Sequence, residues 1–580
     1  MAHITLSDVF AKAEFSKFGG IDLRESNSGV ENVSDLKNFR VTEGGYLKKR
    51  DGFKHVMNVP SGTIRAVYIF SANLAFVITR NSIYRVYPNR LDYDMLCELP
   101  ESNKDACFFM HDNSFYLIDG GELYLYKDDT FVPSEGYIPL YADGWSQNEI
   151  GEIYEKPNCL TSKLRLRYNI SSAPPFSIRL PFESSEIVAA FKNGAPLDSA
   201  DIALSSAGNH LAVASGAEIS SGDVLDVVII PSSPLASRAQ ITQYTRAVAF
   251  GAGLFGSAPS SLALYRGDDP SLIITTRQVS EENLEFSKRV CPDSSSMYFV
   301  EGDEINPNHG REEVTVAVSN QTSLVAFTKN SACLINEGTE PSQRVIPISQ
   351  TLGCSVKDGA TCFEDKIVTM SSSGFYIWEI DSIINNRFSS TCISSPIASL
   401  IPSSNSTGII YYYKPLNELW FYRHGDERIF IYNTLLKCFY CFTGFSPRLL
   451  FEVDGALSFM SGNAFYRFQE HLDLDRNWGN PQNVVAEMQT SYLSFGDFNR
   501  LKRLSRVICK GSPNASFEIS VSDPDGYSIS LPFTDSDGGE IGHYEKRLPC
   551  RRSRYYSFRL THSARESDIA VMNITLTAVK

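Results

Sequence analysis

The sequence predicts an all-β chain: a β-propeller of six to eight blades, a β-sandwich inserted into it, and a sandwich-like β domain after it. Three observations predict this. A strand-turn-strand unit recurs along the chain, its copies are spaced like propeller blades, and long amphipathic helices are absent. The clearest copy runs Phe115-Tyr116-Leu117-Ile118, Asp119-Gly120-Gly121-Glu122, Leu123-Tyr124-Leu125-Tyr126. Its Asp-Gly-Gly turn supplies the positive φ that a tight hairpin needs. Similar units span Phe76 to Tyr87, Leu254 to Tyr265, Leu324 to Ile335, Ile367 to Trp378, Leu419 to Tyr432 and Leu457 to Phe468, giving seven copies. Phe76 and Phe115 lie roughly 40 residues apart, a blade-like period. A lone hairpin is marginal in water, so the units must stack on one another and share a core.

Taken in order, residues 1–60 read as an extended segment. They carry Gly19-Gly20, Gly29, Gly44-Gly45 and the basic run Lys48-Lys49-Arg50, and the stretch from Ser34 to Phe39 is read as one helical turn. Residues 61–140 hold the first blades. From Phe115 to Phe255 the repeat leaves a surplus well over one blade, which locates an inserted domain at 141–240. Its alternating runs, Leu164-Arg165-Leu166-Arg167-Tyr168 and Asp223-Val224-Leu225-Asp226-Val227-Val228, predict a small β-sandwich. Blades resume over 241–475 and end at a polar boundary, Asp473-Leu474-Asp475, Trp478 and Pro481. A terminal β domain follows over 476–580, with strands expected at Ser505 to Cys509, Ser516 to Ser522, Tyr555 to Leu560 and Ile569 to Val579.

Composition narrows the function classes. The 580 residues carry a formal charge of −14, so the chain as a whole is not built to neutralise phosphates. The 28 Tyr and 36 Phe suit half-buried strands, while four Trp are few for sugar stacking. The 12 Cys form no dense framework and residues 1–10 lack a secretory pattern, which predicts reduced thiols and a protein made in a cytoplasm. No apolar run approaches the roughly 20 residues of a membrane span.

No catalytic, cofactor-binding or metal-ligating residue is assigned. Gly251-Ala252-Gly253-Leu254-Phe255-Gly256 has dinucleotide-fingerprint spacing, but Ser257-Ala258-Pro259 and a strand follow where a helix should. Cys438 and Cys441 have redox or zinc spacing without a second ligand pair, which favours buried structural thiols. His111, His424 and His543 are scattered outside any metal motif. Asp523-Pro524-Asp525-Gly526 and Asp535-Ser536-Asp537-Gly538 read as turns, since each lacks the remaining ligands of a calcium loop. Lys502, Arg503, Arg506, Lys510, Arg551, Arg552 and Arg554, interleaved with Tyr555 and Tyr556, read as a solvated face or a subunit contact in preference to a nucleic-acid site. Lys48-Lys49-Arg50 is read the same way.

Certain strings resemble a known family. Phe18-Gly19-Gly20-Ile21-Asp22-Leu23-Arg24, Asp35-Leu36-Lys37-Asn38-Phe39 and Gly45-Tyr46-Leu47-Lys48-Lys49-Arg50-Asp51-Gly52-Phe53 resemble the opening of tailed-bacteriophage tail nozzle proteins, also called tail tubular protein B or tail accessory and stabilisation factors. Ser323 to Thr328, Thr351 to Ser355, Met370 to Tyr376, Asn417 to Phe421, Ile429 to Asn433 and Phe439-Tyr440 are similar to later segments of that family, in the same order. The insertion departs from its simplest members. The resemblance implies a non-enzymatic structural subunit of the virion tail, a ring of six copies that retains and then conducts the genome. Its partners would be further copies of itself, portal-side adaptor proteins, distal tail proteins, and DNA passing without sequence-specific contact. The competing expectation is a receptor- or carbohydrate-binding propeller, less readily a glycan-degrading one.

Overall fold

The computed structural model describes the chain apart from residues 1–2, 8–9, 25–31, 61, 72, 252–259, 309, 311, 321–322, 337–344, 383–386, 403–406, 471, 473, 478–479, 513–515, 535–541, 564–569 and 580. The fold is all-β, and a β-propeller of seven blades is its largest part. The innermost strands are Ile64–Ser71, Cys107–His111, Arg246–Phe250, Val314–Asn320, Ala360–Phe363, Gly408–Tyr413 and Leu449–Val453, each packed beside the next. Numbered from them, blades 1 to 7 close into a ring where Met460 and Phe465 of blade 7 join Ile64 and Val77 of blade 1 in one apolar cluster.

Blade 2 shows why the repeat forms. Ser114–Ile118 and Leu123–Lys127 pair Tyr116 with Leu125 and Ile118 with Leu123. In the turn between them Gly120 has φ +77°, while the Asp119 carboxylate accepts the amides of Gly121 and Glu122, both at 3.0 Å. Phe108, Phe115 and Phe131 then meet Phe76 and Ile78 of blade 1. Each sheet buries both faces against its neighbours, so its middle strands are mostly apolar, as in Leu74–Thr79 and Ser114–Ile118.

Blade 3 corrects one copy of the repeat. Its first two strands are Arg246–Phe250 and Ser261–Tyr265, so the hairpin placed at Leu254 to Tyr265 begins instead at Arg246, and its connection lies outside the described residues. Ile273–Thr275 follows, and Ile305 bridges Ile273 as an outer partner.

Between blades 2 and 3 the chain builds two further sheets. Strands Leu140–Ser146, Leu164–Asn169, Val224–Pro231, Ser184–Lys192 and Ala195–Pro196 form one; Phe176–Arg179, His210–Val213 and Ile202–Leu204 form the other. Trp145, Tyr168, Ile178 and Leu211 are buried in the cluster they share. A ten-residue helix, Glu281–Val290, supports this unit. Ser280 caps its start, acids fill its first turn and Lys288 and Arg289 its last, the charge order a helix dipole favours. Phe286 packs on Phe191 at 5.1 Å, and the Arg165 guanidinium lies 3.5 Å from the Phe286 ring centre.

The segment read as extended is sewn into both the propeller and the terminal domain. Phe53–Asn58 forms the fourth strand of blade 7, paired with Ala464–Phe468. Phe53 sits edge-on to Phe445, Phe459, Tyr466 and Phe468, with centroids 4.9–5.8 Å apart. Phe10–Phe15 pairs with Ala570–Val579, and Leu47–Lys49 with the same strand. The helical turn expected at Ser34 to Phe39 is a strand, Asp35–Lys37: only Leu36 of the three is buried, a period-two pattern, and it pairs with Ala486–Gln489 on one side and Cys441 of blade 6 on the other. That strand carries the sheet of blade 6 into the terminal domain, where Ser516–Ser522 and Ser557–His562 continue it. The polar boundary at 473–481 also differs. Leu474 and Asp475 are buried because Leu474–Asn477 extends the sheet of blade 7; Asp473 and Trp478 lie outside the described residues.

Candidate functional site

A cavity of about 630 Å³ opens at one end of the propeller channel, lined by residues of blades 1, 2, 3, 6 and 7 and the turn before blade 5. Its charged residues sit within two positions of the start of an innermost strand: Arg65, Asp105, Arg246, Asp358 and Arg448. The blade geometry therefore gathers them at one rim, although they are far apart in sequence.

Two guanidiniums converge on Asp358. Arg246 reaches it at 3.3 Å and Arg266 at 3.0 Å. Arg246 also meets Asp105 at 3.1 Å and donates to the Thr245 carbonyl at 3.0 Å, while Arg266 donates to the Thr315 carbonyl. Blades 2, 3 and 5, with Thr315 of blade 4, are thus tied across the mouth. Burial would raise the Asp358 carboxyl, but the two arginines outweigh it and hold it below the usual range. Arg65 is buried and structural, donating to the carbonyls of Lys104 at 2.7 Å, Arg80 at 2.9 Å and Asp119 at 3.0 Å. Facing the cavity, Arg448 is exposed and His424 half-buried; burial and the nearby Arg448 push the His424 imidazole below its ordinary pKa. The mouth offers one solvent-facing cation, a neutral imidazole and a carboxylate, Asp105, shared with Arg246. That set can hydrogen-bond a small polar or anionic group. Among the described residues no group of three His, Cys, Asp or Glu is arranged to hold a metal ion.

The motifs noticed in the sequence fall elsewhere. Cys438 and Cys441 are buried in blade 6, and burial pushes both thiols up to about 12. Gly251 has φ +99°, but the rest of the glycine run lies outside the described residues, as does Asp535 to Gly538. Asp523 closes its turn by accepting the amides of Asp525 and Tyr527; Arg551, 2.6 Å away, holds its carboxyl down. His111 is buried between Ser296 and Ser260, and His543 lies on the surface.

Lys48-Lys49-Arg50 is not a solvated face. Lys49 and Arg50 are fully buried, and Arg50 places its guanidinium against Asp475 at 2.6 and 2.9 Å and within 6 Å of the rings of Phe53, Phe442 and Phe445. Arg40 is a second such node. It meets Glu418 at 2.7 Å, and Glu418 also accepts from Tyr440 and Trp420. These cations pin the N-terminal segment to blades 6 and 7. In the terminal domain Lys502 and Tyr556 are likewise buried, because Lys502 donates to the carbonyls of Arg500 and Arg554 and Tyr556 to that of Lys502. Arg503, Arg506, Lys510, Arg551, Arg552 and Arg554 are exposed.

No family model matches the chain, and no curated protein matches it. Among solved structures, the WD40 domain of Neurospora crassa Pan2 is similar over 73% of this chain and 96% of that one, at 7% identity and a TM-score of 0.36. The extracellular domain of a putative hybrid two-component system from B. thetaiotaomicron aligns over 98% of this chain and 91% of that one, at 10% identity and 0.25. An exo-β-1,3-galactanase from Phanerochaete chrysosporium, with β-1,3-galactotriose, aligns over 57% and 95%, at 10% identity and 0.21. Superpositions this loose carry no functional argument; the propeller assignment stands on the chain's own seven sheets.

Proposed function

We propose that this chain is a non-enzymatic structural subunit of a bacteriophage tail, one of several copies in a nozzle or connector ring through which the genome passes. The observation that carries this reading is the double stitching of residues 10–58. The same segment completes the terminal sandwich and closes blade 7, so propeller and sandwich form one braced block suited to bearing load. The cavity at the mouth of the propeller, about 630 Å³, is the size of a small-ligand site. On this reading the conduit lies between copies, and rotational symmetry repeats each subunit's surface around it. The resemblance of the opening strings to tail nozzle proteins supports the same assignment.

Electron microscopy of the purified full chain tests it. The expected image is a closed ring of copies around an axial opening; a protein that stays monomeric at every concentration overturns the reading. One observation favours a second reading, a propeller that binds a receptor or carbohydrate: the rim cavity with exposed Arg448 and half-buried His424. Glycan-array binding lost on Arg448→Ala would decide for it.

A further inference from the structure

The chain's charge is unevenly distributed. Residues 61–475 hold 48 Asp and Glu against 30 Lys and Arg, whereas residues 476–580 hold 14 Lys and Arg against 11 Asp and Glu. Much of this local excess of cations lies on one sheet face. In the terminal sandwich, Phe10–Phe15, Ala570–Val579, Lys502–Gly511 and Gly542–Arg547 lie side by side, and residues paired across them share a face. Arg503 pairs with Arg552 and Arg506 with Arg547. Thr577 links Arg506 to Lys12 in the same row, and Lys510 pairs with His543. Among the described residues two carboxylates share this face, Glu14 beside Lys12 at 2.7 Å and Glu545 beside Arg506. Like charges placed directly opposite each other weaken a sheet, so folding alone gives no reason to keep two such pairs. Apolar side chains border the face: Phe10 and Val579 are neighbours in register and exposed, and Phe498, 62% exposed, and Leu501 occupy the loop before Lys502.

The opposite character appears on blade 1. Its outermost strand, Asp92–Glu98, pairs on one side only among the described residues. It alternates acids with exposed apolar groups: Asp92, Tyr93, Asp94, then Met95, 55% exposed, after Leu91, 62% exposed. Asp94 has a distant ion pair with Arg85 at 3.8 Å and the strand has a bulge between Met95 and Cys97, which leaves its side chains and not its backbone ladder as the surface on offer; aromatic and Met side chains such as Tyr93 and Met95 are those enriched at interface cores.

We propose that the basic face of the terminal sandwich docks the acidic, apolar edge strand of blade 1 of a second copy of this chain. The inference rests on the ring reading and names the surfaces that make the ring. The contact is heterologous, a different patch on each partner, which is the class that generates rings or open filaments. Complementary charge sets register and speeds encounter.

Sedimentation velocity on the full chain tests it, using two surface variants: Arg503→Glu/Arg506→Glu/Arg552→Glu, and Asp92→Lys/Asp94→Lys. The wild type is expected to associate, and to do so less as salt rises. Each variant alone is expected to associate at least about tenfold more weakly. An equimolar mixture of the two should associate again, because every contact then joins opposite charges; that recovery excludes misfolding. If the wild type forms closed rings and both variants form them equally well, the contact lies elsewhere and the proposal fails while the ring reading stands. If the wild type forms only pairs or open filaments, lost in each variant and regained in the mixture, the contact stands and the ring reading falls. A wild type that remains monomeric overturns both. If a short DNA duplex binds the wild type and not the arginine variant, with self-association unchanged, the face belongs to nucleic acid and the proposal is overturned.

Discussion

Replacing Arg50 by Met should unfasten the closure of blade 7. Every N–H of the guanidinium is used: Nε donates to Asn38 Oδ1 at 2.9 Å, Nη1 to Asp475 Oδ1 at 2.9 Å and the Asp51 carbonyl at 3.1 Å, and Nη2 to Asp475 Oδ2 at 2.6 Å and the Thr443 carbonyl at 3.1 Å. Methionine preserves the apolar stem among the phenylalanines but leaves the buried Asp475 carboxylate without its counter-charge. Breaking a buried pair from one side costs about 3–5 kcal/mol. Arg50→Lys keeps the charge and loses the fork, so it should fall between, at about 1–3 kcal/mol. The double variant Arg50→Met/Asp475→Leu removes both charges and should recover part of that loss, the Asp51 and Thr443 carbonyls still lacking the guanidinium donor. Urea denaturation gives the global cost, and amide exchange in Phe53–Asn58 and Ala464–Phe468 reports whether the loss is local. A single variant within about 1 kcal/mol of wild type, or a double variant as damaged as the single, would refute the reasoning.

Three further outcomes follow from the same structure. Phe53→Ala empties a site shared by four rings and should cost about 3–5 kcal/mol by urea denaturation; a cost below about 1 kcal/mol would mean that the closure strand is held by its ladder alone. Stability should fall as pH drops from about 6.5 toward 4, because burial and Lys49 hold the His562 imidazole at about 4, so the unfolded chain takes up the proton first. The loss is about 2 kcal/mol by pH 5, checked by urea midpoints at two pH values, and His562→Leu should flatten that slope; an unchanged slope contradicts it. Asp358→Asn should cost about 1–2 kcal/mol and raise amide exchange at Ala360–Phe363 above that of the other inner strands; uniform exchange would show that the rim ion pairs do not brace the mouth.

The propeller was legible because its middle strands are buried on both faces. Glu418–Arg423 and Ile429–Asn433 are buried at every position, so they read as apolar runs whatever surrounds them. Outer strands such as Asp92–Glu98 face solvent and lose that signal. The N-terminal strands carried almost none: Asp35–Lys37 and Leu47–Lys49 are three residues long; the first has its partners hundreds of residues away, and the second has one nearby, Phe39–Val41, and one far off, Ala570–Val579. The burial of Lys49 and Arg50 was hidden for the same reason, since a basic run announces solvent until Asp475 and the ring cluster are brought to it. The ten-residue helix had a readable signal that sequence reasoning passed over: Ser280, then two acids, ending in Lys288-Arg289. The rim residues could not be picked out singly. Asp105, Arg246 and Asp358 share only their phase relative to a blade start, which is visible once all seven blades are aligned.

The stitching of residues 10–58 also sets a timetable for synthesis. Phe53–Asn58 leaves the ribosome about 20–80 s before Ala464–Phe468 exists to receive it, at roughly 5–20 residues per second. Until then six blades can form in order while the seventh cannot close, and Phe10–Phe15 waits longer still for Ala570–Val579. The nascent chain therefore spends its synthesis with open strand edges, the exposure that favours aggregation. Because the sandwich face includes Phe10–Phe15 and Ala570–Val579, it too is completed only when the last strand arrives. If that face docks a second copy as proposed above, no copy offers it before its own propeller can shut, and the order of folding would then protect the order of assembly.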